Sequence, residues 1–166
     1  MRFDVSRRFG FLAAEVAKLY GELFDAAARD RIGLSRAQCR LLVALAGQGD
    51  GPPLSQAELA QRLDLTPMAV AMLCDRMEAA QWVQRQPSAS DRRVKNVVMA
   101  AQAEEALRAA MRLGDAITSA ALKDFSAEER AQLVALLGKA REGLLRQFEA
   151  PPREEKEAGR TEGARP

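Results

Sequence analysis

Histidine is absent from this chain, and cysteine occurs only twice, at Cys39 and Cys74. Without imidazoles or a clustered cysteine pair there is no zinc-ligand spacing, and the usual general base of enzymes is missing. Two distant cysteines give no disulfide framework and read as buried, inert thiols. No glycine-rich phosphate loop occurs. Aromatic residues make up only 5% of the chain. No apolar run approaches the ~18–20 residues that cross a bilayer. Near the N-terminus Phe9, Phe11 and Leu12 are soon followed by Glu15 and Lys18, which is not a signal-peptide pattern. These absences argue against an enzyme, a metal or cofactor protein and a membrane protein, and they lead to the expectation of a cytoplasmic location. A large net charge is also lacking: the balance is +2, too small to argue for nucleic acid by itself.

What the chain does have is helical periodicity. Hydrophobic residues make up 48% of its 166 residues, with many Ala and Leu, enough for one helical domain over residues 1–150 with a real core. Phe9, Leu12, Val16, Leu19 and Leu23 recur at helical spacing and predict a helix over Met1 to Arg31. Phe11, Tyr20 and Phe24 widen its apolar stripe beyond what one helix of a small domain needs. The excess belongs either in the monomer core or in a second subunit. Gly33 and Leu34 end this helix. Ser35 and Gln38 form an S-x-x-Q capping box that opens another, running to Ala46. The segment GQGDGPP, residues 47–53, is a turn. Further on, Ala103 to Asp124 keeps helical spacing, Ser126 and Glu129 form another capping box, and a last helix runs to Phe148. Pro151 and Pro152 stop it. From Arg153 onward there are four cations, four anions and no large apolar residue, so 151–166 reads as a disordered tail.

Between these terminal helices, the stretch from Leu54 to Ala100 carries the most specific pattern. Ser55 and Glu58 form an S-x-x-E capping box, and Leu59 and Leu63 share one helix face. Asp64 and Leu65 turn. Thr66 offers an N-cap hydroxyl, and Pro67 follows at the first helical position. Val70, Leu73, Cys74 and Met77 then recur at helical spacing. Two short helices around so tight a turn predict a helix-turn-helix. Trp82 to Gln86 reads as extended, Pro87 to Ser90 as a break, and Val94 to Met99 as a returning strand. Asp91, Arg92 and Arg93 stand between them, which gives a hairpin with a cationic tip. Arg85, Arg92, Arg93 and Lys95 against Asp91 give a local charge of +3, a patch suited to phosphates.

In order and spacing, these features resemble the MarR family of winged helix-turn-helix regulators. The family's D-R-L-E pattern is matched by Asp75, Arg76, Met77 and Glu78, and its D-x-R wing motif by Asp91, Arg92 and Arg93. The resemblance covers Val5 to Phe148. It implies a mainly α fold with a small β-hairpin wing: a winged helix-turn-helix over about 35–100, and dimerisation helices over about 5–31 and 103–149. It further implies a homodimeric regulator that binds double-stranded DNA, most often as a repressor released by a small aromatic or phenolic effector.

The DNA-facing candidates are Ser55, Thr66, Pro67, Met68, Ala69, Ala71, Met72, Arg76, Arg92, Arg93 and Lys95. Arg92 and Arg93 are the wing arginines, suited to a narrow minor groove, with Asp91 anchoring the loop by pairing with an arginine. Arg76 reads either as a phosphate contact or as the partner of Asp75 or Asp91. It is also the only evident stabiliser of a Cys74 thiolate. Related proteins often carry Ser, Thr and Arg where this chain has Met68, Ala69, Ala71 and Met72. Met and Ala offer bases no hydrogen bonds, only contact with thymine methyls, so direct readout is expected to be thin. That departure sustains an alternative: a winged-helix module that binds protein and has lost sequence-specific DNA binding. Tyr20, Phe24 and Arg40 are the candidates for an effector cleft, the two aromatics being equally readable as plain core.

Overall fold

The computed structural model describes residues 4, 6–49, 51–88, 91 and 93–149. These residues form six helices and a three-stranded antiparallel sheet, mainly α with a small β-hairpin wing. The chain divides into two compact units, Met1–Ala121 and Leu122–Pro166. The expected tail over 151–166 lies outside the described residues.

In the first unit, α1 spans Phe9–Arg31. Its expected start at Met1 moves inward. Asp4 accepts both the N–H and the hydroxyl of Ser6, at 3.0 and 2.6 Å, a local turn that competes with helical hydrogen bonding. Gly33, at φ +75, turns the chain out of α1. The next helix, α2, spans Arg36–Ala46 and opens at the expected capping box. Ser35 Oγ accepts the Gln38 N–H at 3.3 Å, and Gln38 Oε1 accepts the Ser35 N–H at 2.8 Å.

A strand missing from the sequence reading comes next. β1, Leu54–Ser55, pairs antiparallel with β3, Lys95–Met99, and β3 pairs with β2, Val83–Pro87. Two residues are too few to show an alternation, so β1 leaves no trace in the pattern. Pro87 was expected to break its strand and instead ends it, opposite Lys95. A missing N–H is tolerated at a strand end. Between β1 and β2 lie α3, Gln56–Leu63, and α4, Pro67–Ala79. After the hairpin, α5 spans Ala103–Ala121, stopping short of the expected Asp124.

The core of this unit is built from Leu34, Leu41, Leu42, Leu54, Leu59, Val70, Met77, Val83 and Val97, all fully buried. Helices α2, α3 and α4 and the sheet thus place one apolar face against a common centre. α1 packs on α2 and α5 yet buries only Gly21 and Ala28. Its stripe of Phe9, Leu12, Val16, Leu19 and Leu23 stays about half exposed. Of the residues that widen the stripe, Tyr20 and Phe24 are half-buried, Phe24 against the core, while Phe11 and the stripe itself are not absorbed by it.

The second unit holds α6, Ala127–Glu149. Its capping box forms as expected: Ser126 Oγ accepts the Glu129 N–H at 3.2 Å, and Glu129 Oε2 accepts the Ser126 N–H at 2.8 Å. No described residue of α6 is buried, and Leu136, Leu137, Leu144, Leu145 and Phe148 are all exposed. Among the described residues, no helix is long and apolar enough to cross a membrane.

Candidate nucleic-acid interface

The helix-turn-helix is set by its caps. Ser55 Oγ accepts the Glu58 N–H at 3.2 Å and donates to Glu58 Oε2 at 2.7 Å, while the Ser55 N–H reaches the same carboxylate oxygen at 2.7 Å. These bonds hold the Glu58 carboxyl below its ordinary range, the side-chain bond from Ser55 contributing most. Ser55, a candidate DNA contact, thus has its hydroxyl and N–H committed to the start of α3. At the other end of α3, Asp64 takes the left-handed conformation (φ 54, ψ 53) that redirects the chain. Arg40 of α2 caps that end, donating from Nη2 to the Leu63 carbonyl at 2.8 Å. Thr66 Oγ1 then accepts the Ala69 N–H at 3.2 Å, and Pro67 begins α4.

Helix α4 turns Val70, Leu73, Cys74 and Met77 into the core. Its outer surface presents Met68, 72% exposed, and Met72, 53% exposed, one turn apart. Ala69 and Ala71, expected to face fully outward, are half-buried. Thr66 and Pro67 are exposed at its N-terminus; with Pro67 lacking an N–H and that of Ala69 capped by Thr66, the Met68 N–H and the helix dipole are what favour an anion there. Arg76 is exposed and makes no ion pair among the described residues, so neither Asp75 nor Asp91 is its partner. It borders a groove with Lys18, Arg29, Arg36 and Arg40.

The hairpin is locked to α4 by Arg85, and this changes the charge count of the wing. Arg85 Nη2 reaches Asp75 Oδ1 at 2.7 Å and the Ala71 carbonyl at 3.1 Å. Its Nη1 reaches Glu78 Oε2 at 2.9 Å, and its main-chain N–H donates to Glu78 Oε1 at 2.9 Å. Burial opposes the guanidinium's charge, but the hydrogen bonds and charges of Asp75 and Glu78 outweigh it and raise the pKa. Arg85, counted above in the cationic wing, is neutralised locally and faces α4. Its Nε is buried without a partner among the described residues. The D-R-L-E match signals this cluster only in hindsight, because Asp75 and Glu78 meet Arg85 across a turn. Gln81, at φ 60, makes that turn between α4 and β2.

At the wing tip, Asp91 Oδ1 accepts the main-chain N–H of Arg93 at 2.9 Å. Asp91 thus anchors the loop through an arginine's backbone and not its side chain. Arg93 and Lys95 are exposed. Arg92 lies outside the described residues. Both cysteines are buried. Burial pushes the Cys39 thiol up to about 11, with the charge of Asp25 adding to it. Burial likewise raises Cys74, against the opposing influence of the Gln56 amide and the charge of Arg85, which takes the place expected of Arg76. Neither thiol has the lowered pKa of a reactive cysteine.

Tyr20, Phe24 and Arg40 come together in one cleft of about 640 Å³ within the first unit, between α1, α2, α3 and α5. The two rings stack with centroids 6.4 Å apart. The Tyr20 hydroxyl donates to the Gly114 carbonyl at 3.3 Å, and a Cβ at Gly114 would lie 3.2 Å from the Tyr20 hydroxyl oxygen. Arg36 and Arg62, absent from the sequence reading, add two cations to the lining. Only folding brings these residues together, since each sits on a different helix from the aromatic pair.

Residues 32–94 match the profile of the MarR family. Over 106 residues the chain is 32% identical to the transcriptional regulator HosA of Escherichia coli O157:H7, a match covering 64% of this chain and 76% of HosA. The chain belongs to the MarR family. It is accordingly a DNA-binding transcription regulator and not an enzyme. Solved structures of MarR-family regulators share the fold. BpsR of Bordetella bronchiseptica, whose DNA binding is regulated by 6-hydroxynicotinic acid, superposes with a TM-score of 0.70 at 20% identity, covering 85% of this chain and 98% of BpsR. The repressor CouR, solved on a 23-mer DNA duplex, also scores 0.70, at 19% identity, covering 85% of this chain and 99% of CouR. The MarR winged helix of this chain is thus the fold predicted from the Leu54–Ala100 pattern, with β1 and the Arg85 cluster added.

Proposed function

We propose that this MarR-family regulator is a cytoplasmic homodimeric repressor, released from double-stranded DNA by a small aromatic or phenolic acid. The observation that carries the DNA interface is the pairing of two exposed features on one rigid support. The exposed N-terminus of α4 and the wing cations Arg93 and Lys95 are held in fixed relation by Arg85. In this reading Thr66, Pro67, Met68, Ala69, Ala71, Met72 and Arg76 face the major groove and its phosphates. Arg92, Arg93 and Lys95 face the backbone or minor groove, and Ser55 acts by positioning α3. The exposed apolar faces of α1 and α6 support a second copy as partner.

The cleft with Tyr20 and Phe24 supports an aromatic effector, and Arg36, Arg40 and Arg62 support a carboxylate on it. BpsR and its 6-hydroxynicotinic acid give this reading a chemical parallel. The test uses duplexes selected by the full chain from a randomised pool. Affinity is measured across a salt series for the wild type and for Arg93→Ala. Each lost phosphate contact should lower the magnitude of the salt slope by about 0.9. Unchanged affinity and slope would remove Arg93 from the interface. Adding 6-hydroxynicotinic acid or a simple phenolic acid to the wild-type complex should weaken it, and no release by any such acid counts against the effector.

A further inference from the structure

The outward face of α4 is poor in hydrogen-bonding side chains. Thr66 already accepts the Ala69 N–H, and Asp75 is held by Arg85. The Ala71 carbonyl also receives Arg85. Between Thr66 and Asp75 the exposed side chains are those of Pro67, Met68 and Met72, none with a hydrogen to donate. Met68 and Met72 lie four residues apart on one helix face, so they form a continuous apolar surface.

Exposed Pro67 and half-buried Ala69 and Ala71 extend that surface along α4. The α4 N-terminus lies before it, Arg76 follows it one turn on, and the hairpin beside α4 carries Arg93 and Lys95. An apolar strip among cations fits a polyanion with methyl groups in its groove. B-DNA has such groups in one place: the thymine C5-methyl projects into the major groove, whereas the minor groove shows none. An apolar protein partner would leave the surrounding cations unmatched.

We infer that Met68 and Met72 are the specificity-determining residues of α4, and that they select thymine through its C5-methyl. This inference rests on the DNA interface proposed above and names what that interface reads. A flexible thioether fills irregular gaps, so the two residues can close on methyls at adjacent base pairs. Discrimination is then by apolar burial alone. One buried methyl corresponds to up to about fourfold in affinity, less than a bidentate hydrogen-bonded pair supplies.

The test replaces thymine by uracil, which removes only the methyl, at each position of the half-site contacted by α4 in a duplex selected from a randomised pool. At one or two thymines per half-site the wild type should lose up to about fourfold per methyl. Met68→Ala/Met72→Ala should bind thymine and uracil duplexes alike while keeping the wild-type salt slope. Both residues are exposed, and circular dichroism checks that the double variant stays folded. Met72→Gln, which keeps length and helix propensity but adds polar groups, should also lose sensitivity to uracil. The inference is overturned if uracil is without effect throughout the half-site. It is equally overturned if the double variant keeps the full uracil penalty, or if the pool converges on no thymine under α4. In any of these results, a salt slope that still falls in Arg93→Ala leaves the interface itself standing, with Arg76 as its remaining reader.

Discussion

At the scale of single residues, Arg85 matters more than its place in a basic stretch suggests. Its guanidinium serves three acceptors, on Asp75, Glu78 and the Ala71 carbonyl, and its side chain is only 19% exposed. Arg85→Gln should destabilise the chain by about 2–3 kcal/mol, since hydrogen bonds to charged groups are lost and a partly buried carboxylate loses its partner. Denaturant unfolding measures this. Arg85→Lys should recover only part of the loss, because one ammonium cannot reach acceptors arranged for a planar fork. A Lys variant as stable as the wild type would reduce Arg85 to a simple charge partner.

At the scale of elements, the capping boxes make helix starts sensitive to acid. The Glu58 carboxyl is depressed by Ser55, so its folded pKa lies below the unfolded value. Its contribution is complete above the unfolded pKa and is lost as pH falls through the folded one. Asp25, depressed by the Arg36 N–H and then by the Arg29 side chain, acts in the same direction at the start of α2. Stability should therefore decline on acidification below the ordinary carboxylate range. Glu58→Gln retains an acceptor for the Ser55 N–H and removes one ionisation, so its stability should fall less steeply over that range. Parallel pH–stability curves for the variant and the wild type would show that Glu58 contributes no pH dependence.

At the scale of the whole molecule, the two apolar faces left in water are the main unfinished business of the chain. α1 leaves six large apolar residues exposed and α6 another six. Sedimentation of the full chain should give twice the chain mass at micromolar concentration. Leu136→Glu/Leu144→Glu changes only residues already exposed in the monomer, so it should shift the protein toward monomer without unfolding the winged helix. A wild-type chain that sediments as a monomer would remove the proposed dimer.

Most helices and the hairpin were legible in the chain because their signals are local. A capping box spans four residues, an apolar face repeats within one helix, and a proline at N1 follows its cap directly. Ser35, Ser55, Thr66 and Ser126 therefore announce α2, α3, α4 and α6 wherever those helices come to pack. The outward Met68 and Met72 were legible for the same reason, since helical period assigns them the face opposite Val70 and Met77. Tertiary structure decided what depends on partners far along the chain. β1 exists only because Val97 and Asn96 lie beside it, and Arg85 leaves the wing's cationic surface only because α4 brings two carboxylates and a carbonyl within reach. Arg36 and Arg62 join Tyr20 and Phe24 only once four helices close around them. Sequence spacing records which face of an element a residue occupies; which charge lies across from it is set by the packing of elements, and that is where the electrostatics of this protein are decided.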